Sequence, residues 1–185
     1  MQDNSRSGSP HPSDAAKESV IEQLDAAQAG GRAPAVLAVL ARLGGRVTEI
    51  EQIKGKLIIL AETETNKHIS DFSVILLGEL IAANAVHIPA LAAFAVGNDL
   101  ARARFCHIAG YGGQNALRMA SVVEMLAERD ESAAVRRRAV QALSRLIPHG
   151  LKDAESIIRN ALNDADESVR SEAQKFFRQS SGLDE

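Results

Sequence analysis

The sequence predicts an all-α protein of about five antiparallel helix pairs stacked as a right-handed α-solenoid. Three observations carry that expectation. Apolar residues make up 45% of the chain but aromatics only 3%, with no Trp, and small or straight-chain apolar residues favour close-packed helices over strands. Apolar positions recur every three or four residues between short turns rich in Gly, Pro and Asn, and no stretch alternates with a period of two for long enough to make a strand. Finally, two C-terminal segments repeat each other at a shift of 34 residues, and periods of roughly 30 to 45 residues built from helix pairs mark a solenoid.

Residues 1–13 mix Ser, Gly, Pro, Asn and charge without apolar periodicity and read as a disordered lead-in. A single repeat domain is expected over residues 14–180, followed by a short tail over 181–185. Ser13 and Asp14 are placed to cap a first helix, "AAKESVIEQLDAAQA", that ends at Gly30 and Gly31. A second, "APAVLAVLARL", carries Pro34 in its first turn, where the missing amide hydrogen costs nothing, and stops at Gly44 and Gly45. In "RVTEIEQIKGKLIILAETE" the residues Val47, Ile50, Ile53, Leu57 and Leu60 form one helical stripe. "SDFSVILLGELIAANAV" opens on a Ser/Asp cap and is apolar nearly all round, as a helix buried between neighbours should be. "IPALAAFAV" is short and breaks at Gly97; "NDLARARFCHIAG" restarts at Asn98 or Asp99 and ends in "GYGG". Four further helical stretches, "ALRMASVVEMLAER", "SAAVRRRAVQALSRLI", "AESIIRNALN" and "ESVRSEAQKFFRQ", alternate with turns of a few residues.

The repeat lies in "RDESAAVRRRAVQAL" and "NDADESVRSEAQKFF". Aligned at the 34-residue shift, Asp130 falls on Asp164, Val135 on Val169, Arg136 on Arg170, Ala139 on Ala173 and Leu143 on Phe177. Within each copy the apolar residues sit at i, i+4 and i+8, one helix face that must bury itself. An Asp followed five residues later by Val-Arg and then by small and large apolar residues resembles the second helix of a HEAT repeat, of the bacterial HEAT-like type. The resemblance is clear over residues 116–179 and degrades upstream. There "GNDLARARFCHIAG" keeps the helix-pair rhythm, with Leu100 near the Val position and Ala103 near the Ala position, but lacks the Asp and the Val-Arg pair. The resemblance implies a ladder in which Asp130 and Asp164 accept hydrogen bonds from Arg136 and Arg170, within or between units.

Arg137 and Arg138 do not recur, since Ser171 and Glu172 stand in their places one repeat later. Arg138, Gln141 and Arg145 share a face turned away from the Val135, Ala139 and Leu143 stripe, with Arg137 alongside. Positive charge concentrates here: residues 101–150 hold eight Arg and Lys against four Asp and Glu, whereas the net charge of the whole chain is −3. Arg137, Arg138, Gln141 and Arg145, joined by Arg102 and Arg104, are therefore the candidate contact residues for a partner. A face of this kind suits an acidic protein or phosphates, against the alternative of a helix face solvated and balanced by Glu124, Glu128 and Glu131. The near absence of aromatic rings favours a protein over nucleic-acid bases.

No enzyme signature is present. Some helical-repeat proteins of this broad type are DNA glycosylases and others attach bilin chromophores to phycobiliproteins. A base-trapping pocket wants aromatic walls, and this chain offers one Tyr, Tyr111; the lyase reading would rest on fold alone. The five histidines show no i, i+3 or i+4 pairing, and Cys106 with His107 reads as a buried thiol beside a turn-facing imidazole. "GYGG" lacks the Lys and Ser/Thr of a phosphate loop. No metal or cofactor is implied. The lone cysteine, the polar start and the lack of a membrane-length apolar run fit a soluble, cytoplasmic protein. The expected function is a non-catalytic scaffold or adaptor that holds a protein on a concave helical surface, with nucleic-acid binding or a chromophore lyase as alternatives. Whether the terminal helices cap the stack or dimerise is left open.

Overall fold

Ser19 starts the first helix. Its hydroxyl oxygen accepts from the Glu22 amide at 3.3 Å while the Glu22 carboxylate accepts from the Ser19 amide at 2.8 Å, a reciprocal capping box that satisfies two otherwise orphaned donors. The expected caps, Ser13 and Asp14, lie outside the described residues. The computed structural model describes residues 19–31 and 33–180. These form eleven α-helices joined by turns and four short 3-10 segments, with no strand among the described residues. The chain is therefore all-α; the expected lead-in and tail fall outside the described range.

In order, the helices are α1 (Val20–Ala29), α2 (Ala33–Ala41), α3 (Val47–Gln52), α4 (Lys54–Thr63), α5 (Lys67–Ala82), α6 (Ala92–Val96), α7 (Asp99–Ala109), α8 (Ala120–Arg129), α9 (Ala133–Leu146), α10 (Ala154–Asn160) and α11 (Glu167–Ser180). Several boundaries differ from the sequence-based expectation: 3-10 turns over Gly113–Met119 and Ala161–Asn163 shorten α8 and α10, and two differences fall in the core. The stripe from Val47 to Leu60 is not one helix but α3 and α4, broken at Ile53, whose amide bonds back three residues to Ile50. The break lets Ile50, Ile53 and Leu57 all turn inward, each no more than 1% exposed, and Gly55, a poor helix former, follows at once. Helix α5 begins a turn earlier than the Ser70/Asp71 cap predicted, because Asn66 accepts from the amides of both His68 and Ile69 and is the stronger cap. Ser70 and Ser73 are then buried inside the helix, where the Ser73 hydroxyl donates to the Ile69 carbonyl at 2.9 Å.

The packing follows from which stripes are apolar. Helices α5, α7, α9 and α11 pack side by side in that order, and α4, α6 and α8 each pack on the next helix in sequence. Helix α10 lies on α8, α9 and α11, while α1 packs on α2 and α2 on α5. One apolar cluster, from Leu24 to Ala173, threads all of them. Close approach of α5 to the end of α7 requires Gly78: a methyl group there would sit 2.3 Å from Tyr111 Cβ. The turn after α7 is built from "GYGG", as expected of a helix terminator. A side chain at Gly112 would meet Ile81 and Ala116 at 2.7 Å, and Gly113 holds φ +53°. At the other end of the row α11 turns polar: where α9 buries Val140 and Leu146, the positions one repeat later carry Gln174 and Ser180, both exposed.

Candidate functional site

Three arginines at one 34-residue spacing, Arg102, Arg136 and Arg170, occupy the same place in the first turns of α7, α9 and α11. Each sends Nη1 to a backbone carbonyl at the turn before its own helix: Arg102 to Gly97 at 2.8 Å, Arg136 to Asp130 at 2.8 Å and Glu131 at 3.1 Å, Arg170 to Asp164 at 2.7 Å and Ala165 at 2.8 Å. The other edge of the guanidinium reaches forward. Arg102 grips Asp130 through Nε at 2.6 Å and Nη2 at 2.9 Å, and Arg136 grips Asp164 through the same two atoms at 2.8 Å. Each Asp also accepts from the amide two residues on, Ser132 or Asp166. A planar fork suits this task and a lysine would not.

This arrangement corrects two assignments. Arg102, grouped with the contact residues, is a rung of the frame, its donors consumed by Asp130 and Gly97. The Asp130 carboxylate accepts from Arg102, while Arg136 reaches only the Asp130 backbone carbonyl, and the Arg170 side chain bonds backbone carbonyls and no carboxylate among the described residues. The upstream alignment is also out of register: at the 34-residue shift Ala101, Arg102 and Phe105 match Val135, Arg136 and Ala139, while Leu100 is 53% exposed.

Between α5 and α7 both halves of a rung are missing. Position 96 carries Val instead of Asp and position 68 carries His instead of Arg. Arg104 does the bridging there, donating backward to the carbonyls of Glu62 at 2.9 Å and Glu64 at 3.1 Å. It too is largely occupied by the frame, although its side chain still lines the groove described next.

That groove, about 480 Å³ in volume, lies between the α4–α5 turn, the first turns of α5 and the faces of α7 and α9. Leu100, Ala103 and Thr65 give it apolar surface, and Asp71, His107 and Arg138 bring charge and hydrogen-bonding capacity. Arg138 donates to Gln141 at 2.7 Å. Farther along, Arg145 lies over the Tyr111 ring, 4.4 Å from its centroid, and Tyr111 meets the His107 ring at 5.4 Å. Arg138, Gln141 and Arg145 therefore share one face, opposite the buried Val135, Ala139 and Leu143. Arg137 is partly buried on α9 and does not line this groove. None of Arg137, Arg138 and Arg145 has a carboxylate within ion-pair distance among the described residues, and α9 itself contains no Asp or Glu.

The electrostatics divide along the same line. The Arg136 hydrogen bonds hold the Asp164 carboxyl below its ordinary range, and the Asp130 carboxyl is held low as well, its burial outweighed by Arg102 and the Ser132 amide. Burial first, and then the nearby positive charges of Arg138 and Arg145, push His107 down to about 4, against the opposing pull of Asp71. His107 thus faces the groove, not a turn, and is neutral at ordinary pH. Sequence spacing had no signal for this, because His107, Tyr111, Arg138 and Arg145 meet only when α7 packs on α9. Cys106 points the other way, fully buried, its thiol pushed up to about 12 by burial. Among the described residues no cluster of three or more His, Cys, Asp or Glu is placed to hold a metal ion, and no helix is long and apolar enough to cross a membrane. No family model, curated protein or solved structure matches the chain.

Proposed function

We propose that the chain is a non-catalytic scaffold, a HEAT-like right-handed solenoid that holds a protein partner against the faces of α7, α9 and α11. The observation that carries this reading is the division of labour on α9. Arg136 is locked into the Asp164 rung, whereas Arg138, Gln141 and Arg145 form a separate stripe with no carboxylate within ion-pair distance among the described residues. Long polar residues on an inner face, held at fixed spacing by rungs, make a ready contact surface. A buried Cys106 thiol and a neutral His107 on different faces of α7 lend no support to a nucleophilic mechanism. The unpaired cysteine suits a reducing, cytoplasmic setting.

Affinity capture from the source cells with the full chain, compared with the Arg137→Glu, Arg138→Glu, Arg145→Glu triple variant, tests the proposal. The partner should be recovered on the parent chain and lost from the variant, with the helical circular dichroism of the two unchanged. Recovery of the same partner in equal amount on both would place the contact elsewhere. Binding to DNA or RNA that weakens steeply between low and moderate salt would favour the nucleic-acid alternative.

A further inference from the structure

We propose that an acidic peptide segment of the partner lies in the groove between the α4–α5 turn, α7 and α9 and runs on along α9 beyond it, with an apolar side chain against Leu100, one carboxylate on Arg138 in the groove and a second on Arg145 past its end. This deepens the scaffold reading and rests on it.

Three features on this face point to that ligand. The first is unmatched charge: among the described residues Arg138 and Arg145 have Gln141 and the Tyr111 ring as partners and no carboxylate within ion-pair distance, so an incoming carboxylate breaks no ion pair there. The second is spacing. Seven residues of helix rise about 10 Å, close to the span of three residues of extended chain at about 3.3 Å each, so carboxylates at i and i+3 of an extended segment match the two guanidiniums. The third is the apolar end of the groove, where Leu100 stands 53% exposed beside Ala103, a surface that a bare polyanion would leave uncovered.

The rim selects against nucleic acid. Glu62, Glu64 and Asp71 line the same groove, with Lys67 among them, and a phosphate chain lying along it would pass three carboxylates. The Tyr111 ring, which a base would need for stacking, is already covered by Arg145. A peptide can place its acidic residues on the α9 side and offer neutral ones to the acidic rim, which a uniformly charged backbone cannot.

His107 supplies an internal reporter. It lies between the influence of Arg138, Arg145 and Asp71, so a carboxylate bound on the arginines must make its protonation easier.

The test pans a random linear dodecapeptide library on the full chain, then measures the enriched peptide, labelled with a fluorophore, against the parent and three single variants. Enriched sequences are expected to carry Asp or Glu three residues apart with an apolar residue on one side. Arg138→Glu and Arg145→Glu should each weaken binding at least about tenfold, and Arg129→Glu, an exposed arginine on α8, by less than about twofold. The His107 ring resonance should titrate at a higher pH in the complex than in the free chain. Enrichment of basic or uncharged sequences, no enrichment, or an acidic peptide that binds both the Arg138 and the Arg145 variant at parental strength overturns the proposal. So does single-stranded oligodeoxythymidine displacing the enriched peptide in preference to an acidic competitor. If the triple variant loses its cellular partner while no acidic peptide binds the parent, the acidic-segment inference fails and the scaffold reading stands. A partner retained by the triple variant removes the scaffold surface itself.

Discussion

Arg136 closes on Asp164 through two parallel N–H···O bonds of 2.8 Å each, 28 residues apart in sequence. The two side chains are only 15% and 12% exposed, so the pair is shielded from solvent, yet both partners are saturated: the free edge of Arg136 bonds two carbonyls and Asp164 takes the Asp166 amide. A shielded and fully bonded pair costs little to keep and much to break. Asp164→Ala strands a guanidinium between α9 and α11 and should lower stability by about 2 kcal/mol. Urea unfolding of the parent, Asp164→Ala, Arg136→Ala and the double variant gives the check; the double variant should lose clearly less than the sum of the singles.

Acid should unfold the protein through the same rungs. The folded Asp164 and Asp130 carboxyls titrate below the unfolded value near 3.9. Their contribution is therefore complete above about pH 4 and disappears as pH falls through the lower folded values. Thermal midpoints recorded from pH 6 down to pH 2 should drop less steeply below pH 4 for Asp164→Asn than for the parent.

His107 acts in the same direction, but in a higher window. Its folded value near 4 lies below the unfolded value near 6.5, so the unfolded chain takes up a proton first as the pH drops between the two. Stability should fall across that interval, and His107→Gln should flatten the slope there without touching the aspartate phase below it. In the folded protein the ring resonance should stay neutral down to about pH 5.

Gly78 tests the contact that orients Tyr111. An added methyl would meet Tyr111 Cβ at 2.3 Å and the Ile108 carbonyl at 3.0 Å, so α5 and α7 must separate. Gly78→Ala is expected to cost about 2 kcal/mol, in contrast to the small gain that alanine brings to an unhindered helix. Calorimetric unfolding decides between the two signs.

Cys106 should be inert in the native state. It is fully buried, with its thiol pushed up to about 12, so an aromatic disulfide reagent at pH 8 should react only after denaturant is added. Immediate reaction would mean that α7 opens readily.

What the sequence made legible is what repeats locally. The all-α class, the helix rhythm and the positions of Asp130, Arg136, Asp164 and Arg170 follow from apolar spacing and one repeated phrase. Arg102 belonged to that series, since it keeps the same interval, but Val96 and Ala101 hid it by replacing the two residues that normally flag the pattern. Arg104 could not be read at all: a guanidinium that ends on backbone carbonyls 40 and 42 residues earlier leaves no mark in residue type. The groove was half legible. Arg138 announced itself by failing to repeat and Arg145 by lying on the same helix face, while His107 and Tyr111 become neighbours of α9 only through tertiary packing.

Arg102 and Arg104, two residues apart on α7, pull in opposite directions, one forward to Asp130 and the other back to the turn at Glu62 and Glu64. A fragment cut anywhere between those anchors leaves one guanidinium without its acceptors. The smallest excised piece that keeps both guanidiniums bonded and α7 packed on α9 runs from the end of α4 through Leu146, and this stretch, not either terminal half, is where dissection of the chain into independently folding parts should begin.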